Sequence, residues 1–571
     1  MQKAGQNENI RIKEWLQFLI RIAAVIVIAL LLSLLRIRID LTEDRRYTLS
    51  EPTRRILAGT KNDIFIQVYL DGDMPVPLKR LRRSVKEMLE EFRVASKRKI
   101  DYEFINPADA RDPRQREAQY ASLYNKGLNP VNIQASDSEG GKTQKMIFPG
   151  MLINYNEIEV PVNFLKNNPS VPYEQNILHS IEGLEYEMIQ TIATVSSDTV
   201  YKVAFLEGHN ELAEIDVADI TIHLAKFFTI DRGAINGRHG ILDNYAAVVI
   251  AGPAKEFSES DKLVLDQYIM NGGKVLWLAE QVEVNADSLA TGGTIGLYRP
   301  LNIEDQLFRY GVRINPEVIQ DLDCMVIRVA VSAGEQQQMV PAPWVYYPRL
   351  YPSQDHPITK NLNRIKGMFV NTIDTVGLDP AIRKTVLLTS SAQSRTITPP
   401  VIIRLKEAEQ LPDEQQYSKS HLSAAVLLEG VFPSAFRNRM ISGLADGKDF
   451  AFRDSSEETR MIVVADGDII RNEVRRMGNQ GTPYPLGQDR LTGEMMGNRD
   501  FIINCLNYLV DDHGLMELRS REMKLRLLDR TRIREEKLFW QMVNLVVPVL
   551  LVIMSGLAYS YFRKRIYTRQ G

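Results

Sequence analysis

The sequence predicts a mixed α/β protein with two α/β domains held between one apolar helix at each end. Three observations predict it. Apolar runs without an acidic residue stand at 15–35 and 538–562. Between them, short β-branched runs alternate with helical stripes, over 63–162 and again over 200–279. The chain is 44% apolar and 25% charged, an ordinary balance for a folded protein.

The first apolar run, 15–35, has 21 residues and one charge, Arg21. About 20 apolar residues span a bilayer core, and Arg21 lies near enough to one end to snorkel. Leu34, Leu35, Arg36 and Ile37 follow, not the small residues of a cleaved signal, so an uncleaved anchor is expected. The second run, 538–562, has 25 residues and no charge. Trp540 stands at one edge and Tyr559 and Tyr561 at the other, where interfacial aromatics sit. Pro548 is tolerable inside such a helix. Two spans place both termini on one side. The tail holds Arg563, Lys564, Arg565 and Arg569 without an acid, which favours cytoplasmic termini and a large extracytoplasmic middle. The flank 519–537 is also basic, with eight Lys/Arg against four Asp/Glu, but long domains translocate largely regardless of charge.

The expected order is a cytoplasmic head at 1–14, a span at 15–35, a juxtamembrane segment at 36–62 and a small α/β domain at 63–170. A connecting helix at 171–199 leads to a larger α/β domain at 200–510, carrying an insertion at about 330–420. A membrane-proximal helix at 511–537, a span at 538–562 and a basic tail at 563–571 complete it. Ser50 is placed to cap a helix with Pro52 in its first turn. Strands at 63–71 and 99–106 flank a stripe at 78, 81, 85, 88, 89 and 92, a strand-helix-strand unit that reads as parallel. A helix at 113–126 and strands at 130–135, 145–155 and 158–162 complete a domain of thioredoxin-like outline. It has no C-x-x-C and so no thiol redox chemistry.

In the larger domain, strands at 201–207, 244–252, 274–279 and 461–468 alternate with helices at 217–228, 258–270 and 498–510, as in a doubly wound sheet. Ser258 and Asp261 form a capping-box-like start, and Gly272 with Gly273 ends that helix. The 330–420 stretch, rich in Pro, Ser and Gln, reads as loops with short strands. It contains an aromatic patch at 341–348, either core packing or a recognition surface.

Several blocks carry a family resemblance: DLTEDRRYTLSE at 40–51, FLEGHNEL at 205–212, SESDKLVLDQYIMNGGKVLWL at 258–278, YGVRINPEVIQDL at 310–322, HPITKNLN at 356–363 and LRSREMKLRLLD at 518–529. In this order between two anchors, the chain resembles the gliding-motility-associated ABC transporter auxiliary, substrate-binding-like proteins of Bacteroidetes, the GldG-like family. The resemblance implies a polytopic permease and, through it, a cytoplasmic ATPase as partners. It also implies a bacterial inner-membrane location and a role in gliding and linked secretion.

Near-neutral net charge, -2, gives no general attraction to nucleic acid. No G-x-x-x-x-G-K-[ST] is present, so ATP would be handled by another chain, and no cofactor is expected. The larger domain resembles the class I glutamine amidotransferase-like fold, whose active members need a cysteine on a strand-to-helix elbow. Neither Cys324 nor Cys505 stands in one, so no catalytic residue and no enzyme activity are expected; whether the two cysteines pair is open. The strand-end clusters Glu207, His209 and Glu211, and Asp466 and Asp468, either line a polar or metal-binding crevice or are simply turn residues. In the second span, Asn544, Ser555 and Gly556 share a face suited to a partner helix in lipid. The basic 519–537 flank either holds lipid phosphates and partner acids or is a solvated helix face.

Overall fold

The computed structural model describes residues 48–567 apart from 110–111, 137–141, 166–170, 198–199, 286–287, 290, 334–335, 378, 441–450, 478–479 and 521–533, together with 19, 20, 22–24, 26 and 27. Most of the expected first span, the head, most of the basic flank and residues 568–571 therefore lie outside the described residues. The chain divides into a large unit containing 47–521 and a smaller one containing 522–571.

In the large unit, α1 (Glu51–Gly59) starts where Ser50 Oγ accepts the Thr53 amide at 3.2 Å, with Pro52 in the first turn. β1 (Ile64–Val68), α2 (Val76–Ala95) and β2 (Ile100–Phe104) form the expected unit, with β1 and β2 parallel. Leu78, Leu81, Val85, Leu89 and Phe92 make the buried stripe of α2. After α3 (Pro113–Asn125) come β3 (Val131–Ser136), β4 (Lys142–Ile147), β5 (Gly150–Tyr155) and β6 (Ile158–Asn163). The stretch expected as one strand at 145–155 is two, because Phe148 and Pro149 interrupt it. The sheet order is β2-β1-β5-β6, with β5 antiparallel to both neighbours, and among the described residues β3 pairs with β4 alone. The connecting helix is likewise two, α4 (Tyr173–Glu182) and α5 (Leu184–Ser196), broken at Gly183.

The second domain contains β7 (Lys202–Glu207), α6 (Ala218–Leu224), β8 (Thr229–Ala234), β9 (Ala247–Ala251), α7 (Glu259–Met270) and β10 (Val275–Leu278). Next come β11 (Val282–Glu283), β12 (Gly293–Tyr298), α8 (Glu304–Tyr310), β13 (Val312–Asp321), β14 (Cys324–Ala333) and β15 (Gln336–Pro352). Then follow β16 (Ile365–Lys366), β17 (Asn371–Thr375), β18 (Ile382–Thr389), β19 (Ser394–Ile397), β20 (Val401–Arg404), β21 (Ser423–Gly430), β22 (Thr459–Val464) and α9 (Asn498–Val510).

Five parallel strands stand in the order β8-β7-β9-β10-β22. In chain order that is 2-1-3-4-5, with its direction of winding reversing between β7 and β9. All five residues of β9 are buried, as a strand covered on both faces requires. Val248, Ile250, Val275 and Trp277 pack with Leu265, Tyr268 and Ile269 of α7. On the other side α9 packs against β9, β10 and β22. Ser258 caps α7 by accepting the Asp261 amide at 3.1 Å, and Gly272 (φ +86) follows the helix end.

The 330–420 stretch departs from its expected loops. β21 joins β22 antiparallel, and β18, β15 and β14 continue the sheet. β15 alone runs 17 residues. The prolines that argued against a strand, Pro341 and Pro343, lie where β15 pairs only with β14. There a missing amide on the unpaired edge costs no ladder bond. The 341–348 patch is core packing at its centre: Trp344 is 1% exposed, and its ring lies 4.9 Å from that of Tyr346.

The smaller unit is dominated by one helix, α10 (Lys537–Tyr567). Residues 537–565 form a helix long and apolar enough to cross a membrane, and its apolar side chains are exposed.

Candidate functional site

Parallel α/β sheets bind ligands beyond the carboxyl ends of their strands, because loops there are free of the packing that fixes the strands. In this sheet those ends deliver Glu207 and His209 after β7, Gly252 after β9, Glu280 after β10 and Asp466 and Asp468 after β22.

The loop after β7 closes on itself. His209 is 5% exposed and stacks on Phe257 with ring centroids 3.7 Å apart. Its Nδ1 lies 3.2 Å from Glu211 Oε1 and its Nε2 lies 3.1 Å from Asp261 Oδ2. Glu211 also accepts the His209 amide, and the His209 carbonyl accepts the amides of Ala254 and Lys255. Both ring nitrogens are therefore engaged, and the histidine braces the loop to the start of α7. Glu207 points elsewhere, to Arg232 Nε at 2.8 Å.

The crevice at the point of reversal is filled. The Leu212 amide donates to the carbonyl of Ala251, and a Cβ added at Gly252 would stand 3.2 Å from Leu212. A Cβ at Gly467 would lie 2.7 Å from the Gly252 Cα, so glycine at 467 is what lets these two backbones touch.

The loop after β22 is different. Oxygens of Glu280, Asp466 and Asp468 all lie within 4.8 Å of one another. Asp466 is fully buried and accepts the amides of Asp468 at 2.7 Å and Met368 at 2.9 Å. Asp468 pairs with Arg471 at 2.5 Å, and Glu280 with Arg299 at 3.4 Å. Glu280 also accepts the Gly467 amide at 3.3 Å. Burial first, then the Asp468 charge, pushes the Glu280 carboxyl up to about 7. Burial, then Asp468 and Glu280, holds Asp466 well above the ordinary range. Burial also raises Asp468, against the opposing pull of Arg471, Arg299 and Lys366. Chemically, such a trio can share protons or hold one divalent cation through oxygen ligands.

Of the strand-end residues expected to line one crevice, the structure holds Asp466 and Asp468 in one cluster and leaves Glu207, His209 and Glu211 out of it. It adds Glu280, which sequence reasoning missed although it follows a parallel strand in the same way. His209 and Glu211 go into a separate network with Asp261. Cys324 and Cys505 are free and buried, and burial raises both thiols, Cys324 to about 11.

A groove of about 500 Å³ runs between the small domain and the sheet domain. Its walls include Asn163, His179, Tyr186, Lys360, Arg499 and Arg519. Many of its polar groups are already bonded within the protein: Asn163 to Asn129 and Gly127, and Arg519 to Asn504 and the Lys360 carbonyl. Burial, then Lys360, lowers His179 below its ordinary value.

In α10, Ser555 Oγ donates to the Leu551 carbonyl at 2.7 Å, and open space surrounds Gly556. Asn544 lies on the same helix and is exposed.

Residues 201–505 match the ABC transporter auxiliary family, described as an ABC-type uncharacterized transport system. Residues 43–154 match a domain family of unknown function. An uncharacterized protein of Borreliella burgdorferi (strain B31) is 20% identical over 570 residues, covering 97% of this chain and 98% of its own length. The mmIFT52 N-terminal domain aligns with 55% of this chain and 98% of its own at 12% identity, with a TM-score of 0.30.

Proposed function

The chain belongs to the ABC transporter auxiliary family, and from that premise we propose that it is a non-catalytic, membrane-anchored accessory subunit of an ABC-type complex. The family match across the sheet domain is the observation that carries the reading. A polytopic permease and, through it, a cytoplasmic ATPase are the partners, alongside inner-membrane lipid. The apolar segment 15–35 and α10 are the two anchors, with cytoplasmic termini and a periplasmic body. The role in gliding motility and linked secretion rests on the sequence blocks alone.

Several features support an accessory role over catalysis. The thiols are buried with their thiolates disfavoured, the histidine at the β7 end is braced on both nitrogens, and the switch-point crevice is filled. A second reading, a receptor for a solute or polymer, draws on the interdomain groove.

The orientation is tested by cysteine labelling. Leu411 is 91% exposed, so L411C should react with an impermeant maleimide once the outer barrier is opened. Reaction only after the inner membrane is broken would overturn a periplasmic body.

A further inference from the structure

The two ends of the large unit meet on one helix. At the first, the Ser50 amide donates to Glu185 Oε1 at 2.8 Å, in a buried bond across 135 positions. At the other, Tyr186 donates its hydroxyl to Met516 Sδ at 2.9 Å, and the Arg519 guanidinium lies 5.4 Å from the Tyr186 ring centroid. Glu185 and Tyr186 are consecutive in α5, with Cα atoms about 3.8 Å apart. The chain therefore comes into this body and leaves it at one pole.

α2 belongs to the same pole, since it packs against α1, α4 and α5. Its inner stripe is apolar, and the opposite face of its first half carries Lys79, Arg80, Arg83 and Lys86, all exposed. Lys79 lies 3.6 Å from Asp73 and Arg82 pairs with Asp71, whereas Arg80, Arg83 and Lys86 make no ion pair with any described residue. Glu87 is exposed one turn on, and Arg55 of α1, which packs against α2, is also exposed. Cations three positions apart on a helix repel one another, and Lys79 in the first turn also opposes the helix dipole. The first turn of α2 has no acid to offset them. Glu87 and Glu90, four positions after Arg83 and Lys86, offset part of this repulsion, so the row adds little to its own helix.

We propose that the α2 row rests against anionic lipid headgroups, so that the pole built from α1, α2 and the 516–520 turn faces the bilayer. The inference rests on the two-anchor reading of the chain. Residues 36–48 link the first apolar segment to this pole, a reach of at most roughly 45 Å, and residues 521–536 link the other end to α10. Two short tethers at one pole turn that pole toward the membrane. Each basic residue near an anionic surface adds attraction that falls off within a Debye length.

The test uses the full chain in lipid nanodiscs, with S84C on α2 labelled by a fluorophore and headgroup spin-labelled lipid as quencher. Cys324 and Cys505 are buried and stay unlabelled in the folded protein. Quenching should be stronger with phosphatidylglycerol than with phosphatidylcholine alone. Replacing Arg80, Arg83 and Lys86 with Gln should abolish the difference, each cation accounting for about fivefold in local contact. Equal quenching in both lipids would overturn the proposal. So would a triple variant that loses permease on co-purification but keeps its lipid-dependent quenching, since that points to an acidic protein surface. Extraction of the native chain by alkaline carbonate would instead overturn the anchor reading beneath it.

Discussion

The loops after β7 and β22 begin alike, as acidic turns behind parallel strands, and end as opposite electrostatic environments. In the first, each acid has a cation or ring nitrogen: Glu207 takes Arg232, while Glu211 and Asp261 take the two nitrogens of His209. In the second, three carboxyls crowd within 4.8 Å with arginines only at the margins. The difference shows that a polar strand end is not in itself a site. What matters is whether its charges are matched inside the loop or left in excess. The β7 loop is a brace, and the β22 loop stores unfavourable charge that protonation relieves.

The comparison breaks most readily at His209. H209A removes a ring stacked on Phe257 and leaves Glu211 and Asp261 buried without that partner. It should cost about 3 kcal/mol in chemical denaturation. A cost below about 1 kcal/mol would mean that the β7 loop is not a brace.

Glu280 sharpens the other side. Its folded pKa of about 7 lies above its ordinary 4.5, so the folded protein holds more protons than the unfolded chain between those values. Stability from this group is full below about 4.5 and lost as pH rises through about 7. E280Q should therefore match the native protein near pH 5 and exceed it at pH 8, by on the order of 1–3 kcal/mol. Equal stability at both values would remove the excess-charge account of the β22 loop.

The smallest effect is expected at Glu207. Its side chain is 48% exposed, and Arg232 keeps a bond to the Leu212 carbonyl without it. E207A should change stability by less than about 1 kcal/mol, and a larger loss would enlarge the brace to include this pair.

Local chemistry made much of the fold legible. Ser50 and Ser258 capped helices where their spacing placed them, and the helix at 498–510 has the bounds its apolar pattern gave. The parallel strands were readable because burial on both faces leaves an unbroken apolar run, as in β9. The 330–420 stretch was not, since edge prolines and polar residues in β15 look like loop when pairing partners are unknown. At the candidate site, Asp466 and Asp468 were visible as a motif. Glu280 came in through strand order, which one sequence does not reveal. The fates of Glu207 and His209 depended on Arg232 and Asp261, both distant in sequence.

The central claim is that this chain serves an ABC-type complex as a fixed subunit. The most direct measurement is quantitative co-purification from native membranes, comparing the natural chain with S555L combined with G556L in α10. The account predicts that the natural chain brings down a polytopic permease and its ATPase. The double variant, still inserted, should bring down several-fold less, because close packing and polar contacts between membrane helices contribute about 0.6–2 kcal/mol each. A natural chain recovered without either partner would contradict the claim. A double variant with undiminished recovery would move the docking surface away from this face of α10.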